Sequence, residues 1–115
     1  MSKIAEKFEP PYYAVIFTSI RTEGDNGYAE MSQKMEELAK EKINVNAILP
    51  GPFATDINLP LLNDPEKYMA FINKIPLGRW GELYEIAGIA LYLASAASSY
   101  TTGGCFTVDG GWTAT

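Results

Sequence analysis

Apolar and polar positions along the chain divide it into alternating strand-like and helix-like stretches. Met1–Glu9 places Ile4, Ala5 and Phe8 at helical spacing, but Pro10-Pro11 ends any helix there and leaves residues 1–11 as an N-terminal arm. Tyr12–Ile20 is rich in aromatic and β-branched residues and apolar on both faces, which suits an interior strand of a parallel sheet. Arg21–Gly27 is turn chemistry. From Tyr28 to Lys42 the residues Tyr28, Met31, Met35 and Leu38 recur every three or four positions, marking an amphipathic helix, with Glu30–Lys34 and Glu36–Lys40 as i,i+4 pairs.

A second strand follows, in which Ile43, Val45, Ala47 and Leu49 alternate with Asn44, Asn46 and Ile48. Pro50 stops it, Gly51 permits a turn that most residues resist, and Thr55, Asp56 and Asn58 make a polar loop. Asp64 and Pro65 read as cap and first residue of a helix over Asp64–Ile75, with Tyr68, Met69, Phe71, Ile72 and Ile75 along one side. Pro76–Gly81 forms a loop. Glu82–Ser95 is the most apolar helix, and apolar residues on nearly all its sides imply burial against the sheet and against something else. Ser98–Gly104 is a turn, Cys105–Val108 a short strand, and Asp109-Gly110-Gly111 a terminal turn. The expected fold is a single partial Rossmann-like α/β domain over residues 1–115, ordered β-α-β-α-α-β, with a small, mostly parallel sheet. A strand that opens through Pro-Gly into a polar loop is how such sheets present a site at their carboxyl edge.

Composition narrows the function classes. The 115 residues carry a net charge of −5, which argues against a nucleic-acid surface. No run approaches the roughly 18 apolar residues of a membrane span, and no signal peptide is evident. A lone Cys105 points to a reducing, cytoplasmic setting. The sequence has no His, which removes His-based triads, metal sites and proton transfer. Asp56 and Asn58 have no third ligand nearby, so no metal is expected.

VNAILPG with PFATDIN, then PLGRWGELYEIAGIALYLAS, then SSYTTGGCFTVDGGW, resemble in order the C-terminal half of the short-chain dehydrogenase/reductase family, over about sixty per cent of the chain. The nearest group contains glucose 1-dehydrogenase and the 3-oxoacyl carrier-protein reductases. The resemblance implies NAD(P)-dependent carbonyl/alcohol oxidoreduction. VIFTSI resembles the strand ending in the catalytic serine, so Ser19, or Thr18, is its candidate. The family's catalytic tyrosine and lysine lie four positions apart at the start of the next helix. Here Tyr28 is followed four later by Ser32 and six later by Lys34. Six positions leave Lys34 about 120° around the helix from Tyr28 and roughly 9 Å along it, so the two do not share a face. The bland reading makes Tyr28 a packing residue and Lys34 the partner of Glu30. In the family the backbone two residues after the glycine meets the nicotinamide carboxamide, which here implies a site built by Pro50, Gly51, Phe53 and Thr55; Thr55 serves equally well as a cap.

The family's substrate lid corresponds to Asp64–Ile75, whose aromatics suit either a pocket wall or helix packing. Arg79 is expected to bond backbone carbonyls. Neither TGxxxGxG nor GxGxxG occurs, so the pyrophosphate turn of NAD or NADP is missing and weak or absent binding is expected. Two functions stay open: an oxidoreductase chain impaired in isolation, and a non-catalytic relic serving as an oligomerisation or binding module. The resemblance implies Val108 and Trp112 at a subunit interface. The apolar Tyr13–Phe17 strand, the Tyr28/Met31/Met35/Leu38 stripe and helix Glu82–Ser95 are expected to meet a second copy or a separate N-terminal half, with neither nucleic acid nor membrane as partner.

Overall fold

The computed structural model describes residues 13–18, 26–54 and 59–115. Three strands, β1 (Ala14–Phe17), β2 (Asn44–Pro50) and β3 (Cys105–Val108), form one sheet in the order β1-β2-β3. Both pairings are parallel, with Val15 opposite Val45, Phe17 opposite Ala47, and Ala47 opposite Cys105. The helices are α1 (Asn26–Ala39), α2 (Leu59–Leu62), α3 (Pro65–Ile72) and α4 (Tyr84–Leu93). This is the expected α/β order with one added element, the four-residue α2.

Residues alternating along a strand point to opposite faces, and here each face meets a different cover. On one face Val45 and Ala47 are fully buried beneath Met31 of α1, with Val15, Phe17, Leu49 and Cys105 beside them and Tyr28, Met35 and Leu38 above. The helical stripe is therefore spent inside the chain, correcting its expected role as a surface for another copy. The charged side of α1 also pairs differently: Lys34 Nζ lies 3.5 Å from Glu37 Oε2, one turn toward the C-terminus rather than back at Glu30.

On the other face α4 packs over β1 and β2, with Leu93 buried. There the Asn44/Asn46 side of β2, which alternation marks as polar, does not face water. Asn46 is 1% exposed; its Nδ2 donates to Thr101 O at 2.9 Å and its Oδ1 accepts from Gly104 N at 3.0 Å. Asn44 Nδ2 donates to Ser98 O and Ser99 O, each at 3.1 Å. Buried amides must find partners, and these two bind the segment before β3 onto β2.

At α3 the sequence signals hold. Asp64 takes extended backbone, its Oδ1 accepts from Lys67 N at 3.2 Å, and Pro65 opens the helix where no amide donor is missed. Among the described residues no helix is long and apolar enough to cross a membrane. The expected arm, residues 1–11, lies outside the described residues.

Candidate functional site

The parallel sheet brings the carboxyl ends of β2 and β3 together. Pro50 pairs with Val108, and Gly51 N donates to Val108 O at 2.9 Å. Gly51 does not take the left-handed backbone that the sequence suggests. It is required for another reason: a Cβ at Gly51 would sit 2.4 Å from Asp109 Cβ and 2.6 Å from Asp109 Cα. The glycine lets two strand ends close on each other.

The Pro76–Gly81 loop folds back onto this edge. Gly81 N donates to Pro52 O at 3.0 Å, Ala54 N to Gly81 O at 2.9 Å, and Leu77 N to Gly110 O at 3.1 Å. The buried Phe53 ring lies over Gly81, where a Cβ would come within 2.7 Å of Phe53 Cε1. A cleft of about 90 Å³ remains, lined by Pro52, Phe53, Leu77, Arg79, Asp109 and Gly110 among others.

Three charged groups at the cleft are held fast. Arg79 makes a two-pronged pair with Glu85, Nη1 to Oε2 at 2.9 Å and Nη2 to Oε1 at 2.7 Å, and Nη1 also donates to Trp80 O at 3.1 Å. Glu85 Oε2 accepts from Glu82 N at 2.8 Å as α4 begins. The Arg79 hydrogen bonds, then the Glu82 amide, lower the Glu85 carboxyl from 4.5 to about 2, and the bond to Glu85 raises Arg79. Asp109 is raised by burial, but this is outweighed by donors from the Thr113 hydroxyl and amide and from the Gly111 and Trp112 amides, so its net shift is downward. Its oxygens accept from Gly111 N at 2.9 Å, Thr113 N at 2.9 Å and Thr113 Oγ1 at 2.7 Å. Asp109 thus stays ionised and fixes the turn after β3.

Behind the loop, Trp80 stacks with Tyr68 at 6.2 Å and meets Phe71 at 5.2 Å, while Phe71 meets Trp112 at 5.0 Å. The α3 aromatics therefore pack on the Pro76–Gly81 loop and the C-terminal turn, which joins α3 to the cleft wall.

Of the residues nominated from sequence, Pro50, Gly51 and Phe53 come together at this edge. Ser19 and Thr55 lie outside the described residues, as do Asp56 and Asn58. Thr18 is exposed at the end of β1. Tyr28 and Lys34 are not brought together. The helix is continuous through both; Tyr28 packs on the core and Lys34 lines a separate groove of about 270 Å³ with Phe17, Glu30, Gln33 and Glu37. Among the described residues no group of three or more His, Cys, Asp or Glu is placed to hold a metal. Asp109, Glu85 and Asn46 were not nominated as site-builders. For Glu85 alone a partial signal existed, the i,i+3 spacing of Glu82 to Glu85 before an apolar helix.

A family model described as enoyl-(acyl carrier protein) reductase matches residues 34–113. The chain belongs to the short-chain dehydrogenase/reductase family. It is 46% identical over 78 residues to 2-dehydro-3-deoxy-D-gluconate 5-dehydrogenase of Dickeya dadantii, covering 68% of this chain and 31% of that protein. It is 46% identical over 77 residues to galactitol 2-dehydrogenase (L-tagatose-forming) of Cereibacter sphaeroides, covering 67% and 30%. Among solved structures, a short-chain type dehydrogenase/reductase of Mycobacterium marinum matches with a TM-score of 0.75 at 34% identity, over 91% of this chain and 46% of that one. A gluconate 5-dehydrogenase of Burkholderia cenocepacia, in complex with NADP and tartrate, matches with a TM-score of 0.78 at 26% identity, over 90% and 46%. The chain thus spans about a third of the curated relatives it matches and about half of the solved structures. Solved relatives in this family include NADP-bound proteins, and a bound dinucleotide makes separate demands at its nicotinamide and pyrophosphate ends. The pyrophosphate end does not fit the described residues. It needs a glycine-rich turn feeding a helix N-terminus, and β3 leads through Gly110-Gly111 only into a three-residue helical turn, Trp112–Ala114.

Proposed function

We propose that this short-chain dehydrogenase/reductase chain forms the nicotinamide- and substrate-facing part of an NAD(P)-dependent dehydrogenase. Its reaction interconverts a secondary alcohol and a ketone on a sugar acid or polyol, and it depends on a separate pyrophosphate-binding half. The observation that carries the reading is the closed carboxyl edge, where Gly51 lies against Asp109 and Phe53 against Gly81 beside the small cleft. The sugar-acid and polyol names of the relatives support the substrate class. A bound nicotinamide would exchange hydride with the substrate carbon. The Phe53 backbone and Thr55 would hold its carboxamide, Ser19 would orient the substrate oxygen, and Tyr28 would move the proton, with Ser32, four positions on along α1, rather than Lys34 beside it. In this reading copies of the chain also associate with one another.

A second reading, a non-catalytic binding module, is favoured by one observation: Tyr28 packs on the core while Lys34 pairs with Glu37. Calorimetric titration of the chain with NADPH and NADH, followed by turnover assays on sugar acids and polyols, tests both. The expected result is negligible binding and turnover by the chain alone, and gain of both when the N-terminal half of a relative is added. Micromolar binding by the chain alone, about 8 kcal/mol, would require a phosphate site within it and overturn the dependence on a second half. Cofactor binding without turnover in the complemented pair would leave the binding-module reading standing.

A further inference from the structure

A groove of about 600 Å³ lies beside the C-terminal turn, lined by Asn73, Lys74, Pro76, Trp112 and Thr115. It shares no lining residue with the cleft at the carboxyl edge. Small-molecule sites run to roughly 300–1,000 Å³, so the groove has the room that the cleft, at about 90 Å³, lacks.

Its walls are fixed in place. A Cβ at Gly111 would lie 2.9 Å from Pro76 Cγ and 3.0 Å from Pro76 Cβ, and φ there is +95°. Glycine lets the turn press onto Pro76 and set Trp112 beside it. Phe71 meets the Trp112 ring at 5.0 Å and steadies it, and Trp80 in turn meets Phe71 at 5.2 Å. Asn73 is anchored through its backbone, whose N–H donates to Met69 O at 3.0 Å. Its side-chain amide and the Lys74 ammonium make no hydrogen bond or ion pair among the described residues. No acidic side chain lines the groove.

We propose that this groove binds a sugar acid. The C–H face of its carbon chain lies on Trp112 and Pro76, its hydroxyls meet the Asn73 amide, and its carboxylate takes the free Lys74 ammonium. The choice of ligand rests on the sugar-acid reading above, but the binding needs neither the cleft nor cofactor nor turnover. Two negative influences oppose an anion here, the carboxyl end of α3 and the main-chain carboxylate of Thr115. The α3 carbonyls of Met69, Phe71 and Ile72 are already taken by the amides of Asn73, Lys74 and Ile75, and Thr115 makes no ion pair with Lys74. Leu77, one residue past Pro76, lines the cleft, so an acid held in the groove waits beside the carboxyl edge.

The test is titration of the full chain, without cofactor, with gluconate and with sorbitol as its uncharged counterpart. The chain has two tryptophans and Trp80 is buried, so a saturable change in emission reports on Trp112. The expected result is saturation by gluconate, with NMR shifts at the amides of Asn73, Lys74 and Gly111, and binding of sorbitol about tenfold weaker. Lys74→Gln, an exposed change, should weaken gluconate about tenfold and leave sorbitol as it was, since a hydrogen bond to a charged group is worth about that factor. Lys67→Gln, on α3 but outside the groove, should change neither. No saturable response to gluconate would overturn the proposal, as would equal affinity for the two ligands or indifference to Lys74→Gln. Shifts confined to Gly51, Phe53 and Gly110 would place the acid in the cleft and overturn it too. Failure of the dehydrogenase reading shows instead in the turnover of the complemented pair, which this titration does not use.

Discussion

Replacing Gly51 by alanine tests whether the carboxyl edge is held together as the structure has it. The new Cβ would lie 2.4 Å from Asp109 Cβ, 2.6 Å from its Cα and 3.3 Å from its carbonyl oxygen. The first two atoms cannot swing aside as the end of a side chain does, so β2 and β3 must separate by about 1 Å to restore van der Waals contact. That movement strains the bond from Gly51 N to Val108 O and the three bonds that close Asp109 onto its turn. Overpacking costs about 1–3 kcal/mol, and a backbone clash belongs at the top of that range, ~3 kcal/mol. For a domain of this size the melting temperature should fall by roughly 12–20 °C. The comparison is Gly78→Ala, where φ is +72° and nothing lies within 4 Å. There the cost is conformational only, about 1–2 kcal/mol. Thermal and urea melts of both variants, with the urea slope unchanged, should rank Gly51→Ala clearly below Gly78→Ala. If Gly51→Ala melts with the wild type, or Gly78→Ala proves the worse, the close approach of Gly51 to Asp109 does not exist in solution.

Met31→Ala should cost about 2–5 kcal/mol, because Met31 is fully buried against Val45 and Ala47; a loss below ~1 kcal/mol in urea melts would mean α1 does not cover that face. Asn46→Leu should cost at least ~2 kcal/mol by leaving Thr101 O and Gly104 N without their partner, read as a lower urea midpoint and faster exchange of the Gly104 amide. The Glu85 carboxyl is depressed to about 2 in the folded chain from 4.5. Its grip on Arg79 therefore contributes above pH 4.5 and is lost as pH falls through about 2. An NMR titration of Glu85 should show that low midpoint, moving up toward 4.5 in Arg79→Gln; a wild-type midpoint near 4.5 would contradict the two-pronged pair.

The strands and helices were legible because each carries its own period, and α3 was legible down to the cap at Asp64. What could not be read was the identity of each cover. The Tyr28/Met31/Met35/Leu38 stripe says that one side of α1 is buried, but a period does not say whether sheet or second copy buries it; the register of Val45 and Ala47 under Met31 does. Asn44 and Asn46 alternate as a wet face would, and only the fold of residues 98–104 across them makes that face dry. Lys34 had acidic neighbours on either side along the helix, and rotamers rather than spacing chose Glu37. At the site, Pro50, Gly51 and Phe53 followed from the family resemblance, while the reason for Gly51 lay in Asp109, far away in sequence, and was invisible to local turn chemistry.

The cleft and the spacing of Tyr28 and Lys34 on α1 rest on different supports. The cleft is shaped mostly by backbone: Gly51 on Asp109, Gly81 under Phe53, Leu77 N on Gly110 O. Side chains there can vary while the edge keeps its form. A tyrosine–lysine pair of the kind the family resemblance implies would instead need two α1 side chains on one face. On a continuous helix, six positions place Tyr28 and Lys34 about 120° apart, and no adjustment of the cleft changes that angle. Nor can the helix simply rotate, since turning Lys34 toward the sheet would lift Met31 out of contact with Val45 and Ala47. The burial that stabilises the domain therefore fixes Tyr28 and Lys34 apart, while the carboxyl edge keeps its form independently of them.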